Sequence, residues 1–118
     1  MARSRRSKTD STIRDLRILV CNDDGIDAPG IKLLERIART LSSDVWVVAP
    51  TTEQSAMSHA LTLRRPLRIR KVSRRRFAID GTPTDSVLMA LNHIIKDKRP
   101  GLVLSGINRG ANLGDDIP

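Results

Sequence analysis

Three short apolar runs limit what this chain can fold into: Arg17-Ile18-Leu19-Val20-Cys21, Val45-Trp46-Val47-Val48-Ala49 and Leu102-Val103-Leu104-Ser105. Each stops abruptly in turn chemistry, at Asn22-Asp23-Asp24-Gly25, at Pro50 and at Gly106. Continuous rather than alternating apolarity marks strands covered on both faces, as in a parallel sheet. Parallel neighbours need long crossovers, usually helices. The first crossover has Pro29 near its start, where a missing N–H costs nothing. Its apolar positions Ile31, Leu34, Ile37, Ala38 and Leu41 recur at helical spacing, and Ser42-Ser43-Asp44 ends it. The second opens with Thr82 as N-cap, Pro83 at the first position and Asp85 at the third, the pattern of a capping box. Its apolar positions are Val87, Leu88, Leu91, Ile94 and Ile95; residues 96–101 are a linker.

Between the crossovers, residues 63–72 alternate, with Leu67, Ile69 and Lys71 on one side and Arg68, Arg70 and Val72 on the other. Phe77-Ala78-Ile79-Asp80 is the expected partner across a turn at 73–76, which makes most of the arginines an outward strand face. The order predicts an α/β fold: a doubly wound, mostly parallel sheet with an inserted β-hairpin. No covering helix follows the last strand, so the domain is expected to be truncated at its C-terminus and to expose apolar sheet surface.

Composition narrows the function classes. At 118 residues the chain holds one domain at most, and 29% charged with 39% hydrophobic residues excludes a membrane-embedded chain. A single cysteine, Cys21, rules out an internal disulfide framework. One Phe, one Trp and no Tyr leave an aliphatic core and none of the stacking side chains that single-stranded nucleic acid requires. The net charge of +8 is local. Residues 1–15 carry five basic and two acidic side chains, and residues 64–76 carry eight basic and none acidic, so the remainder is slightly acidic. Residues 1–15 lack hydrophobic periodicity and are expected to form a disordered basic extension to a domain spanning 16–118. Ser4-Arg5-Arg6-Ser7-Lys8 has a twin-arginine look, but Thr9-Asp10-Ser11-Thr12 stands where an apolar segment would follow. A cytoplasmic protein is expected, with no membrane partner.

In open α/β sheets, ligands bind beyond the carboxyl ends of the strands, near the switch in strand order. Those ends carry Asp23 and Asp24, then Ser55, then Asn108. Two adjacent carboxylates after an apolar strand need a cation or hydrogen-bond donors to compensate them, although Asp-Asp-Gly is also good turn sequence. With no His or Cys beside them, the four are an all-oxygen set, which favours Mg²⁺ or Mn²⁺ over zinc or copper.

These blocks carry a family resemblance. The stretch from Arg17 through Asn22-Asp23-Asp24-Gly25-Ile26-Asp27-Ala28-Pro29-Gly30 resembles the opening of the SurE family of survival-protein nucleotidases. So do Val47-Val48-Ala49-Pro50 with Glu53-Gln54-Ser55 and Ser58-His59, then Leu61-Thr62-Leu63 with Arg65-Pro66-Leu67-Arg68. Asp80-Gly81-Thr82-Pro83 with Asp85, and Ser105-Gly106-Ile107-Asn108-Arg109-Gly110-Ala111-Asn112-Leu113-Gly114-Asp115-Asp116, complete the set. The resemblance implies a Rossmann-like core and a 5'/3'-nucleotidase, a metal-dependent phosphatase of nucleoside monophosphates that forms homo-oligomers in its full-length members. The family's divalent-metal ligands fall on Asp23, Asp24, Ser55 and Asn108. Asp23 would also accept or orient the proton of a metal-activated water, and Asn112 would support the Asn108 loop. The chain departs from the pattern at Thr51-Thr52, where Asp-Arg is frequent, at Ala56-Met57 for Gly-Ala, and at Cys21 for Ser. It also lacks a later Ser-Gly-Thr segment associated with phosphate.

Two other readings compete. A phospho-receiver domain has a similar length, an acidic Mg²⁺ pocket and an acceptor that would be Asp80, but no Lys follows the last strand. An RNA-binding module would use Arg68, Arg70 and Arg74, without the aromatic or glycine-rich signature such modules carry. Ala78 occupies the nucleophile position of a haloacid-dehalogenase motif at Asp80-Gly81-Thr82, so that segment reads as a strand end and helix cap. His59 is read as a structural loop histidine, His93 as helix surface, and Asp115-Asp116 as a solvated turn.

Overall fold

The computed structural model describes residues 14–52 and 67–108. Along the chain run β1 (Arg17–Cys21), α1 (Pro29–Leu41), β2 (Asp44–Pro50), β3 (Ile69–Ser73), β4 (Arg76–Ile79), α2 (Pro83–Met89), one π-helical turn (Ala90–Ile94) and β5 (Leu102–Ser105). The strands form one sheet in the order β3-β4-β2-β1-β5. Every neighbouring pair is parallel except the β3–β4 hairpin. The α/β fold expected from the apolar runs is the fold observed. The hairpin is built into the sheet, since β4 lies parallel beside β2 and β3 closes the edge.

β1 occupies the middle of the parallel part, and all five of its residues are buried. Alternate side chains feed two cores. Ile18, Val20, Val45, Val47 and Ala78 face Ile31 and Ala38 of α1. Leu19, Val48 and Ile79 face Ala90 and Ile95 beyond α2, with Trp46, Phe77 and Val87 packed around them. One helix on each face is what a doubly wound sheet requires. Among the described residues, no helix is long and apolar enough to cross a membrane.

The structure corrects several expectations. Ile37 and Leu41 were assigned to the core face of α1, yet they are 43% and 40% exposed, together with Leu33. At 100° per residue, Ile31, Leu34 and Ala38 form the seam that meets the sheet, while Leu33 and Ile37 lie round the cylinder from it. In α2 the capping box is present: Thr82 Oγ1 accepts from Asp85 N and the Asp85 carboxylate accepts from Thr82 N. The α-helical period, however, does not continue to Ile95. The Ile95 N–H bonds to the Ala90 carbonyl at 2.8 Å, five residues back, and this wider turn delivers Ala90 and Ile95 to the core while Leu88 faces out.

In the hairpin, Val72 packs on the core and Ile69 is exposed, the reverse of the expected faces. Arg68, Arg70 and Arg74 are exposed, in line with an outward face for most of the arginines, and the last two of the run turn inward. Arg75 lies over the Trp46 ring at 5.5 Å and donates to the Ser43 carbonyl, and Arg76 is half-buried, 3.4 Å from Glu35. Residues 63–66 and 1–13 lie outside the described residues. The Arg14 carbonyl accepts a 2.7 Å hydrogen bond from Ser42 Oγ.

The amino ends of the strands are held by a charged cluster. Arg17, which opens β1, is buried and donates to Asp44, which opens β2, at 2.9 Å and to Asp97 at 3.1 Å. Trp46 Nε1 also donates to Asp44 at 2.8 Å, and the Arg17 guanidinium covers the Trp46 ring. Burial pushes the Asp44 carboxyl up, but the hydrogen bonds from Arg17 and Trp46 and the charges of Arg17 and Lys98 outweigh it and hold it below the ordinary carboxylate range. A depressed carboxylate adds stability above its unfolded pKa of about 4 and loses it as pH falls through the folded value. Asp44→Ala is expected to lower unfolding free energy by about 1–3 kcal/mol at pH 7, because it leaves Arg17 Nε and Trp46 Nε1 without their acceptor. Urea denaturation should show that difference shrinking as the pH falls below about 4 and the native carboxylate is itself titrated.

Candidate functional site

Chain direction determines where a site can form. From β1 the chain crosses by α1 to β2 on one side, and after β4 it returns by α2 to β5 on the other side of β1. The switch in strand order therefore falls between β1 and β5, the place where open α/β sheets bind their ligands. Asp23 stands two residues beyond β1 and Asn108 three beyond β5, in adjacent strands paired Cys21 to Ser105.

The two side chains meet. Asn108 Oδ1 accepts from the Asp23 backbone N–H at 3.3 Å, and Asn108 Nδ2 donates to Asp23 Oδ2, also at 3.3 Å. Asp23 and Asn108 are exposed and Asp24 is half-buried. The β1 loop is tightly organised beneath them. The buried Asn22 side chain donates to the Gly25 carbonyl at 2.8 Å and accepts from the Gly25 N–H at 3.2 Å, closing a ring across the turn. Gly25 has φ of 110°, a left-handed conformation suited to glycine. The Ile26 N–H reaches the Pro50 carbonyl at 2.8 Å, so the same loop is tied to the end of β2. On the other side, the Gly106 N–H bonds to the Cys21 carbonyl at 2.9 Å.

Of the four residues expected to share a cation, the structure brings Asp23 and Asn108 into direct contact, with Asp24 adjacent in the same turn. Ser55 lies outside the described residues, as do Asn112, His59 and Asp115-Asp116. Among the described residues, no group of three or more His, Cys, Asp or Glu is placed to hold a metal. Ligands to a cation at this switch point would have to include amide, hydroxyl or backbone oxygens beside the two carboxylates. That donor chemistry fits a hard cation, which takes oxygen ligands of mixed type. The Asn108 carbonyl retains a second lone pair beyond the one engaged by Asp23 N–H.

Asp80, the acceptor of the receiver reading, follows β4, and β2 stands between β4 and β1. Its backbone N–H bonds to the Arg68 carbonyl at 3.0 Å. The loop facing Asp23 is that of Asn108. His93 is exposed, as expected for helix surface. In the sequence Asn22 reads only as turn chemistry; its place three residues before Gly25 is the sign that its amide can close a ring.

Cys21 behaves as packing. Its thiol is buried beside the Asn22 and Pro83 carbonyls, and burial pushes its pKa up to about 11. Because the thiolate is the reactive form, iodoacetamide at pH 8 is expected to label Cys21 at least tenfold more slowly in the native chain than in urea-unfolded chain, measured by mass.

Comparison with known proteins points the same way. The Survival protein SurE family profile matches residues 18–118. A 5'-nucleotidase SurE of Paramagnetospirillum magneticum is 76% identical over 102 residues, covering 86% of this chain and 39% of that protein. Another, of Parvibaculum lavamentivorans, is 61% identical over 107 residues, covering 91% and 39%. The crystal structure of the SurE protein from Aquifex aeolicus superposes with a TM-score of 0.73 at 44% identity, covering 86% of this chain and 41% of that one. The chain thus spans about two fifths of the length of the curated relatives it matches.

Proposed function

The chain belongs to the SurE family, and from that premise we propose that it contributes the cation-holding loops of a phosphatase acting on nucleoside 5'- or 3'-monophosphates. The observation that carries this reading is the pairing of Asp23 with Asn108 at the switch point of the sheet. Asp23, Asp24, Ser55 and Asn108 are the residues that would hold a divalent ion, Mg²⁺ or Mn²⁺. When bound, such an ion supplies Lewis acidity to a phosphoryl oxygen and lowers the pKa of a water.

The side chains of the chain do the rest. Asn108 orients the Asp23 carboxylate through its Nδ2 bond to one oxygen. The carboxylate keeps lone pairs with which to accept, or orient, the proton of the attacking water. On the same reading Asn112 would support the Asn108 loop. The products are inorganic phosphate and a nucleoside. A cytoplasmic location and homo-oligomeric assembly belong to the same reading; the buried unpaired Cys21 suits a reducing compartment.

The test is phosphate release from nucleoside monophosphates with Mn²⁺ or Mg²⁺ against EDTA, run in parallel on the Paramagnetospirillum relative. Turnover is expected to need the metal. Asp23→Asn and Asp24→Asn are expected to lower it by about 10²-fold or more. Full turnover in Asp23→Asn with Mn²⁺ still bound would remove Asp23 from the proton step, and metal-independent release would overturn the proposal.

A further inference from the structure

The Asp23–Asn108 contact joins two loops that belong to different strands, and something must bring their backbones together. Gly30 is the second residue of α1. A Cβ built on it would fall on the Ile107 carbonyl oxygen and lie 2.9 Å from the Ile107 carbonyl carbon. The obstacle is backbone, so no rotamer change relieves it. Ile107 immediately precedes Asn108.

Helix propensity does not account for this glycine. Gly30 does not adopt a positive φ, and glycine is a poor residue inside a helix, where alanine is the best. The close approach of the β5 loop is what its missing side chain permits. In the turn that carries Asp23, the fully buried Asn22 amide has both of its polar atoms engaged, which leaves the turn little freedom to move away.

We infer that Gly30 and Asn22 are positioning residues, which bring the Asn108 amide to bonding distance of Asp23 from outside the site. Gly30 does so by leaving room for Ile107, and Asn22 by locking the turn that carries the carboxylates. The consequence for metal affinity rests on the proposed function; the consequence for loop geometry does not.

Gly30→Ala and Asn22→Ala decide the matter, with Lys32→Ala on the exposed side of α1 as control. Two quantities are measured on each folded chain. One is the nuclear Overhauser contact between the Asn108 side-chain amide and the Asp23 backbone N–H, without metal. The other is Mn²⁺ affinity, from the free-ion paramagnetic resonance signal. In the wild type and the control, the contact is expected to be present and Mn²⁺ to bind. Each positioning variant is expected to lose the contact and to bind Mn²⁺ at least tenfold more weakly, with cooperative thermal unfolding retained. If either variant keeps both the contact and an affinity within twofold of wild type, its residue has no positioning role. If Gly30→Ala does not fold, Asn22→Ala still tests the locked turn, and Gly30→Ser in a relative of full length tests the spacer. Loss of the contact in the variants, together with no Mn²⁺ binding by the wild type, would sink the metal reading and uphold the positioning one.

Discussion

β1 is paired on both sides, to β2 and to β5, and buried on both faces. That placement makes everything else possible. A strand in the middle of a parallel sheet exposes only its ends, so whatever polar chemistry follows it is presented at a rim and nowhere else. Because the chain leaves β1 toward β2 and returns to β5, the switch in strand order falls at that rim, and Asp23 and Asn108 meet there. The five buried residues of β1 thus govern both the stability of the sheet and the address of the candidate site.

The two ends of β1 handle charge in opposite ways. At the amino end, Arg17 is buried, and Asp44, Asp97 and the Lys98 carbonyl surround its guanidinium, with the Trp46 ring against its face. A buried cation is tolerated only when its donors are met in this way. At the carboxyl end, the Asp23 carboxylate is left at the rim beside the neutral Asn108 amide, in a turn closed by the Asn22 amide. The closed ion-pair cluster suits a structural role, and the Asp23 carboxylate, held by one amide, retains lone pairs for further partners.

Much of the fold was legible in the residues because it follows from local rules. Unbroken apolar runs, the Thr82–Asp85 cap and the Pro29 helix start each act over a few positions, and each is present. The errors occurred where tertiary contact overrode a local pattern. Ile37 and Leu41 satisfy helical periodicity, but only the narrower seam through Ile31, Leu34 and Ala38 meets the sheet. The π-helical turn at Ala90–Ile94 adds a residue to one turn, which no count of 3.6 anticipates. Arg75 and Arg76 look like any other members of a basic run until Trp46 and Glu35 are brought next to them.

The candidate site divides along the same line. The sequence alone determined which side chains end the strands and that their oxygens suit a hard cation, because strand termination and ligand chemistry are properties of residues and their immediate neighbours. The family, too, was readable from the ordered blocks. Only the tertiary structure decided that β5, rather than β4, lies beside β1, and so that Asn108 and not Asp80 faces Asp23. Strand order depends on how two helices divide between the faces of one sheet, a long-range packing outcome that no local window of sequence contains. Gly30 shows the same thing at atomic scale: an unremarkable helix residue in the chain, it acquires its meaning from a carbonyl 77 positions further on.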